Sequence, residues 1–86
     1  MDGRLFWFGY YYKATALYNS FKFKNALNAL ESIKDINTSL NDVELKISYL
    51  VFEGQCYEKL NDKMKALALF LEALDLAIHS DSYKQK

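Results

Sequence analysis

Small and apolar residues recur along the chain at spacings that fit paired helices. In the second half of the chain they are Leu50, Gly54, Tyr57, Ala66, Phe70 and Ala73. Forty residues earlier, a weaker set occupies matching positions: Tyr10, Ala14, Leu17, Ala26, Leu30 and Ile33. Residues three or four apart lie on the same face of a helix. The pattern therefore predicts two copies of a helix–turn–helix unit, which is typical of a helical solenoid.

Turn-forming residues divide the chain into four predicted helices, near residues 3–19, 22–36, 42–60 and 63–79. Asn19-Ser20 and Asn61-Asp62 end the first helix of each unit, and the polar segment 37–41 is predicted to be a loop. Asn41 stands three residues before Glu44, a spacing that predicts an N-terminal cap. We expect one domain over residues 1–86, with repeat one at about 3–36, the loop at 37–41, repeat two at about 42–79 and a polar tail at 80–86.

The third predicted helix has two apolar stripes on nearly opposite sides. The first stripe is Val43, Ile47, Leu50, Gly54 and Tyr57, and the second is Leu45, Tyr49, Phe52 and Cys56. A helix with two such stripes is packed on two sides, as in the interior of a stack. Gly54 costs about 1 kcal/mol relative to alanine inside a helix. A close approach of Ala66 and Phe70 would offset that cost, so we predict a tight helix crossing there.

The fourth predicted helix has an apolar face that the second helix lacks. Leu71, Leu74 and Ile78 stand where the second helix has Glu31, Lys34 and Thr38. A contiguous apolar patch rarely stays in water. We therefore predict self-association through this face, as a two-fold dimer, or docking onto a further segment. The predicted self-association face is Leu67, Leu71, Leu74 and Ile78.

Composition excludes several classes of partner. The 86 residues carry 11 basic and 11 acidic side chains, so charge gives no case for nucleic acid or an anionic membrane. The apolar run at residues 5–12 is too short to span a bilayer. Cys56 is the only cysteine and has no internal disulfide partner, which indicates a reducing, cytoplasmic setting.

Residues 50–73 resemble a tetratricopeptide repeat. The residues that match the pattern of this family are Leu50, Gly54, Tyr57, Ala66 and Phe70, with Ala73 as a further match. Glu53 departs from the leucine usual in the family, and no proline closes the repeat. The resemblance implies four antiparallel helices in a short right-handed solenoid. More loosely, the tyrosine-rich first helix and the run Asn41-Asp42-Val43-Glu44 resemble the repeat region of Rap-type bacterial peptide-pheromone receptors.

The sequence offers no catalytic, cofactor or metal site. His79 is the only histidine and lies far from Cys56, so no metal-ligand cluster is formed. Cys56 lies on an apolar stripe with no base nearby, which favours an inert buried thiol. Glu53 and Glu58 are five residues apart on one helix and diverge, so they form no acid–base pair.

The remaining candidate is a groove lined by the first helix of each repeat, as the family resemblance implies. We call it the inner wall, and its predicted residues are Phe8, Tyr11, Thr15, Tyr18, Asn19, Ser48, Val51, Gln55 and Glu58. Three aromatic rings beside an amide and a hydroxyl suit a peptide with one apolar anchor. Alternatively, further chain or a second copy covers the three rings.

Taken together, the sequence predicts a non-catalytic module that binds a protein or peptide, or that assembles with copies of itself or with further repeats. Two alternatives stay open. One is a peptide-sensing regulatory domain of a bacterial signalling receptor, and the other is a structural segment of a longer helical solenoid.

Overall fold

The protein is all-helical in a computed structural model, which describes residues 3–80. Within that range the helices are α1 (Arg4–Asn19), α2 (Phe23–Glu31), α3 (Lys34–Ser39), α4 (Val43–Lys59) and α5 (Lys63–Ile78). α1 and α2 form a first hairpin, α4 and α5 form a second, and α3 connects them. The all-α prediction is confirmed, but the predicted four helices are five, and the right-handed solenoid stays a prediction. Apart from Ser80, the predicted polar tail lies outside the described residues.

The turns inside the two hairpins have the same backbone geometry, 40 residues apart. Phe21 and Asn61 both adopt the left-handed conformation, with φ of 65° and 69°. In both turns, the amide after the left-handed residue donates to the carbonyl five residues back at 2.9 Å. The two turns therefore share one local backbone geometry, and the repeat architecture stays a prediction.

The second hairpin is packed through the predicted tight crossing. A Cβ atom placed on Gly54 would lie 2.6 Å from the Phe70 ring, closer than van der Waals contact allows. Ala66 is buried beside it, and farther along the hairpin the Lys65 ammonium lies 5.0 Å from the centre of the Tyr57 ring. The order of these contacts shows that α4 and α5 run antiparallel. The predicted close approach at Gly54 is confirmed.

The two hairpins are joined through the second apolar stripe of α4. The Tyr49 hydroxyl donates a 3.1 Å hydrogen bond to the backbone carbonyl of Leu30 in α2. The Phe52 ring lies 5.2 Å from the Tyr11 ring and 5.5 Å from the Tyr18 ring, both on α1. We call this contact the inter-hairpin joint. It buries three residues of the stripe: Tyr49, Phe52 and Cys56.

The predicted second helix, residues 22–36, is interrupted at Ser32 and Ile33. Ile33 has φ of −115°, and its amide donates to the carbonyl of Leu30, three residues back, at 3.0 Å. This break turns the Ile33 side chain fully into the core. The chain then continues as α3, so most of the predicted loop at 37–41 is helical. Burial of Ile33 in tertiary contacts overrides the continuous helix that its neighbours favour.

Trp7 and Asn37 fix the position of α3. The Trp7 indole N–H donates a 3.0 Å hydrogen bond to the Asn37 side-chain oxygen, and both side chains are buried. A Cβ atom on Gly3 would lie 2.6 Å from Ile36, so α1 and α3 also meet closely at the start of α1. Asn37 therefore serves as a buried hydrogen-bond partner of Trp7, not as the loop residue that the sequence predicts.

The cap of α4 is Asp42, one residue after the predicted Asn41. The Asp42 carboxylate accepts a 3.2 Å hydrogen bond from the Leu45 amide. Asp62 caps α5 in the same way, accepting from the Lys65 amide at 3.3 Å. In α4 and in α5, the aspartate before the helix thus accepts a hydrogen bond from one of the free backbone amides at the helix N-terminus.

Replacing Asn37 with leucine should destabilise the fold. The Trp7 indole N–H would lose its partner in a buried site, at a cost of about 1–3 kcal/mol. Chemical denaturation followed by the fluorescence of Trp7, the only tryptophan, measures this cost. Thr38→Leu, at an exposed position of the same helix, is the control. Equal denaturation midpoints for the Asn37→Leu and Thr38→Leu variants would show that Asn37 does not stabilise the fold through this hydrogen bond.

Alanine should have opposite effects at two helical glycines. Gly54→Ala places a methyl group against the Phe70 ring and should cost about 1–3 kcal/mol. Gly9→Ala meets nothing within 4 Å and should stabilise α1 by up to about 1 kcal/mol. Thermal melting followed by circular dichroism compares the two variants with the parent. A Gly54→Ala variant as stable as Gly9→Ala would contradict the tight crossing.

Candidate functional site

The α1 half of the predicted inner wall is largely occupied by contacts within the chain. Tyr11 stacks on Trp7 with ring centres 4.6 Å apart, and it also contacts Phe52. Burial raises the pKa of the Tyr11 hydroxyl, and the neighbouring Tyr12 raises it further. The Thr15 hydroxyl donates to the Tyr11 carbonyl at 2.9 Å. These half-buried side chains therefore offer a ligand less free surface than the sequence predicts.

The rest of the predicted wall is more open. Phe8 is half-buried against the core, and Asn19 is exposed at the end of α1. On α4, Ser48 and Val51 are half-buried, whereas Gln55 and Glu58 are exposed. The structure thus brings Tyr11 and Tyr18 together around Phe52, a ring that the sequence analysis placed in the second stripe of α4. Peptide binding at the inner wall stays a prediction.

The predicted self-association face lies on the open side of α5. Its four members are 43% to 55% exposed: Leu67, Leu71, Leu74 and Ile78. Met64, which the sequence analysis left out, extends this row by one helical turn and is 80% exposed. Its spacing of seven residues from Leu71 is the signal that would have included it. We call these five residues the α5 face.

A second exposed apolar surface lies on α1 and was not anticipated from the sequence. We call it the α1 face, and its residues are Leu5, Phe6, Gly9, Tyr12 and Ala16. Leu5, Phe6 and Gly9 line a shallow concavity of about 500 Å³ together with Tyr10 and Lys13. The 40-residue repeat contained the signal, because Leu5 and Tyr12 correspond to Leu45 and Phe52 of the second stripe.

A cleft lined by both polar and apolar side chains lies next to the inter-hairpin joint. Its volume is about 440 Å³, and Tyr49 and Glu53 of α4 line it between α3 and α5. Glu53 is half-buried and has no hydrogen bond or ion pair within residues 3–80. Burial raises its pKa above the ordinary 4.5, and although Lys34 opposes the shift, Glu31 adds to it. The cleft therefore holds a carboxylate without a direct partner at the position where the family resemblance expects leucine.

Cys56 and His79 lie in contrasting environments. Cys56 is fully buried, and burial raises the pKa of its thiol to about 11. His79 is exposed, and its Nδ1 lies 2.9 Å from the Asp75 carbonyl and 3.3 Å from the Asp75 carboxylate. Within residues 3–80, no group of three or more His, Cys, Asp or Glu side chains is placed to hold a metal ion. None of the helices in that range has the length and apolar character needed to cross a membrane.

Comparison of the chain with protein-family models, with curated proteins and with solved structures gives no match. The resemblance to tetratricopeptide repeats therefore rests on the residue pattern alone.

Glu53→Gln should stabilise the protein near neutral pH. In the folded state the raised pKa disfavours the charged carboxylate, so stability is lost as pH rises from the unfolded pKa through the folded one. The neutral amide removes that loss. Denaturation at about pH 7 should therefore show the variant above the parent, and the gain should shrink at about pH 4, where the unfolded carboxyl also binds its proton.

Glu58→Gln provides the matched control for this experiment. Glu58 is exposed on the same helix, so its replacement should change stability little at either pH. A Glu53→Gln variant that is less stable than the parent at about pH 7 would show that Lys34 and Lys65 stabilise the carboxylate more than burial disfavours it.

Proposed function

We propose that this chain is a non-catalytic binding and assembly module of tetratricopeptide type, which docks another polypeptide onto its α5 face. The observation that carries the proposal is the exposure of five large apolar side chains in one row of a helix. α5 packs chiefly against α4, and its buried side already contains Ala66 and Ala73. The leucines on its opposite side are therefore not needed for contacts within residues 3–80.

The arrangement of these side chains suits a helical partner. Met64, Leu67, Leu71, Leu74 and Ile78 follow the three- and four-residue spacing of a single helix face. Such a ridge packs into the groove of a facing helix. Each leucine, once removed from water, contributes about 1.5–3 kcal/mol relative to full exposure. Since they are already about half-buried, the gain on docking is a fraction of that for each residue.

Several observations support a non-catalytic role. The Cys56 thiol is inaccessible and stays protonated near neutral pH. His79 and Asp75 face solvent at the end of α5, with no cavity around them among the cavities described above. A free cysteine kept reduced and buried fits a cytoplasmic protein.

The two alternatives use different surfaces. A peptide-sensing domain would bind at the inner wall, and its anchors Tyr11 and Tyr18 are partly committed to Phe52. A structural segment of a longer solenoid would use the α5 face to contact its next repeat. Both the proposed binding module and a segment of a longer solenoid would therefore use the α5 face. Only a peptide-sensing domain would use the inner wall.

Leu71→Glu combined with Leu74→Lys should abolish binding at the α5 face while keeping the fold. Both residues are more than half exposed, and the residues 40 positions earlier are Glu31 of α2 and Lys34 of α3. Displayed libraries of 16-residue peptides, selected on the immobilised parent, provide the probe. We expect selected peptides to carry apolar residues at helical spacing and to bind the variant at least about tenfold more weakly.

A charge pair on the inner wall is the matched control for this selection. Gln55→Glu with Glu58→Lys changes two exposed residues of α4, and peptide binding should stay at the parental level. Selected peptides that bind the α5 variant normally but lose affinity for the inner-wall variant would move the site to the inner wall and favour peptide sensing.

A further inference from the structure

The inter-hairpin joint shows how one helix of this chain covers another. On α4, the second stripe is buried and faces the first hairpin through Tyr49 and Phe52. On α2, Leu27 and Glu31 line a cavity with Glu53 of α4, so this side of α2 adjoins α4. The joint therefore brings a stripe of α4, the first helix of its hairpin, against both helices of the first hairpin, with Tyr49 on α2 and Phe52 on α1.

The same positions are exposed on the two outer helices. Moving the α4 stripe back by 40 residues gives Leu5, Gly9, Tyr12 and Ala16, which belong to the α1 face. Moving Leu27 and Glu31 of α2 forward by 40 residues gives Leu67 and Leu71 of the α5 face, and Lys34, the first residue of α3, corresponds in sequence to Leu74. The two left-handed turn residues and their hydrogen bonds are also 40 residues apart, so this register holds in the structure as far as Glu31, where α2 ends and α5 continues. Each outer face thus repeats part of one side of the joint, without the other side.

The two faces differ in shape in a complementary way. Where α4 has Tyr49 and Cys56, α1 has the smaller Gly9 and Ala16, and the concavity of about 500 Å³ lies beside Gly9. Where α2 has Glu31 and α3 begins with Lys34, α5 has the two leucines Leu71 and Leu74. The α1 face thus has small residues between its large apolar side chains, whereas the α5 face is an unbroken row of large ones.

Gly9 has no packing role within residues 3–80. A Cβ atom there would meet nothing within 4 Å, whereas a Cβ atom on Gly3 or Gly54 would clash with Ile36 or Phe70. A glycine in an exposed helix interior is destabilising by about 1 kcal/mol relative to alanine. Close approach of another helix is a physical reason for a glycine at such a position.

We infer that a second copy of this chain docks head to tail, with its α1 face on the α5 face of the first copy. This inference rests on the proposed function and names the partner of the α5 face. Leu5, Phe6 and Tyr12 are 60% to 80% exposed, and the α5 side chains are 43% to 80% exposed. Burying both sets would remove on the order of 1,000 Å² of surface, which is the threshold for a biological interface and lies in the range of weak, transient ones.

A head-to-tail contact differs from the two-fold dimer predicted from the sequence. In a two-fold dimer the same face is used twice, whereas here each copy presents two different faces. The head-to-tail contact therefore leaves one α1 face and one α5 face free in every complex. Further copies add to these faces as concentration rises, unless the rotation between copies closes a ring.

Two variants, each with one damaged face, test the inference by sedimentation velocity. One carries Leu71→Glu and Leu74→Lys on the α5 face, and the other carries Leu5→Glu and Tyr12→Lys on the α1 face. The parent should form species larger than a dimer with rising concentration. Each variant alone should be monomeric, with association at least about 30-fold weaker than that of the parent. An equimolar mixture should form a one-to-one complex, because one intact copy of each face is then present.

The mixture separates this inference from the other arrangements. If the α1 variant alone forms dimers, the contact is two-fold through α5, which overturns the head-to-tail inference but keeps the proposed function. If the parent is monomeric and the mixture forms no complex, a second copy is not the partner, and peptide selection then tests the α5 face on its own. Asn25→Glu with Asn28→Lys introduces the same two charges at exposed positions of α2 and should associate like the parent. Circular dichroism verifies helicity, and glutamine replaces the charged residues at the same sites in any variant that loses helicity.

Discussion

The two halves of this molecule are held together by the burial of one face of α4 against α1 and α2. Two helices alone bury little apolar surface, and an isolated helical hairpin of this length is marginally stable in water. The Tyr49 hydroxyl donates a hydrogen bond to the Leu30 carbonyl, so the phenol is buried in the core without an unpaired polar group. Phe52 then packs between two tyrosine rings of α1. The positions of the inner wall, the cleft beside Glu53 and both outer faces depend on this joint.

The character of each surface follows from how much of it the joint covers. Beside α4, the rim formed by the end of α2 and the start of α3 is polar, and Glu31 and Lys34 stay exposed next to Glu53. A polar rim around an apolar centre resembles the anatomy of interfaces between proteins more than that of a domain core. The outer helix α5 reverses this arrangement, since leucines replace the polar rim while its buried side follows the same pattern as α2. The contrast between two helices of one chain is therefore more informative than the apolar character of α5 alone.

Residue patterns were sufficient to predict the hairpins but not their connection. The packing of the Phe70 ring against Gly54 was predictable, because the sequence shows both the missing side chain and the large ring. The turn at Asn61 was predictable because asparagine tolerates a left-handed backbone. By contrast, the break at Ile33 depends on burial in tertiary contacts, and the buried pair of Trp7 and Asn37 joins residues 30 positions apart. Composition assigned Asn37 to a loop because asparagine is usual there.

The same limit applies to the candidate surfaces. The α5 face was predictable since its leucines are conspicuous beside the polar residues at equivalent positions of α2. The contact of Phe52 with the inner-wall residues Tyr11 and Tyr18 was not predictable. A helical wheel assigns a residue to a face of its own helix but does not show which side chains of a neighbouring helix contact it. The α1 face was not predicted, because the composition of an aromatic run does not show whether its side chains are buried or exposed. The burial of Trp7 and Ala14, which are 1% and 0% exposed, shows which side of α1 faces inward.

The turns at Phe21 and Asn61 also bear on the order in which the molecule folds. A left-handed conformation costs an ordinary residue roughly 1–2 kcal/mol, and asparagine relieves part of that cost through its short polar side chain. The first hairpin therefore carries more backbone strain than the second, although their hydrogen bonds match. This difference favours a folding nucleus in the hairpin of α4 and α5. The first hairpin would then dock late, and destabilising changes within it would accelerate unfolding more than they slow folding.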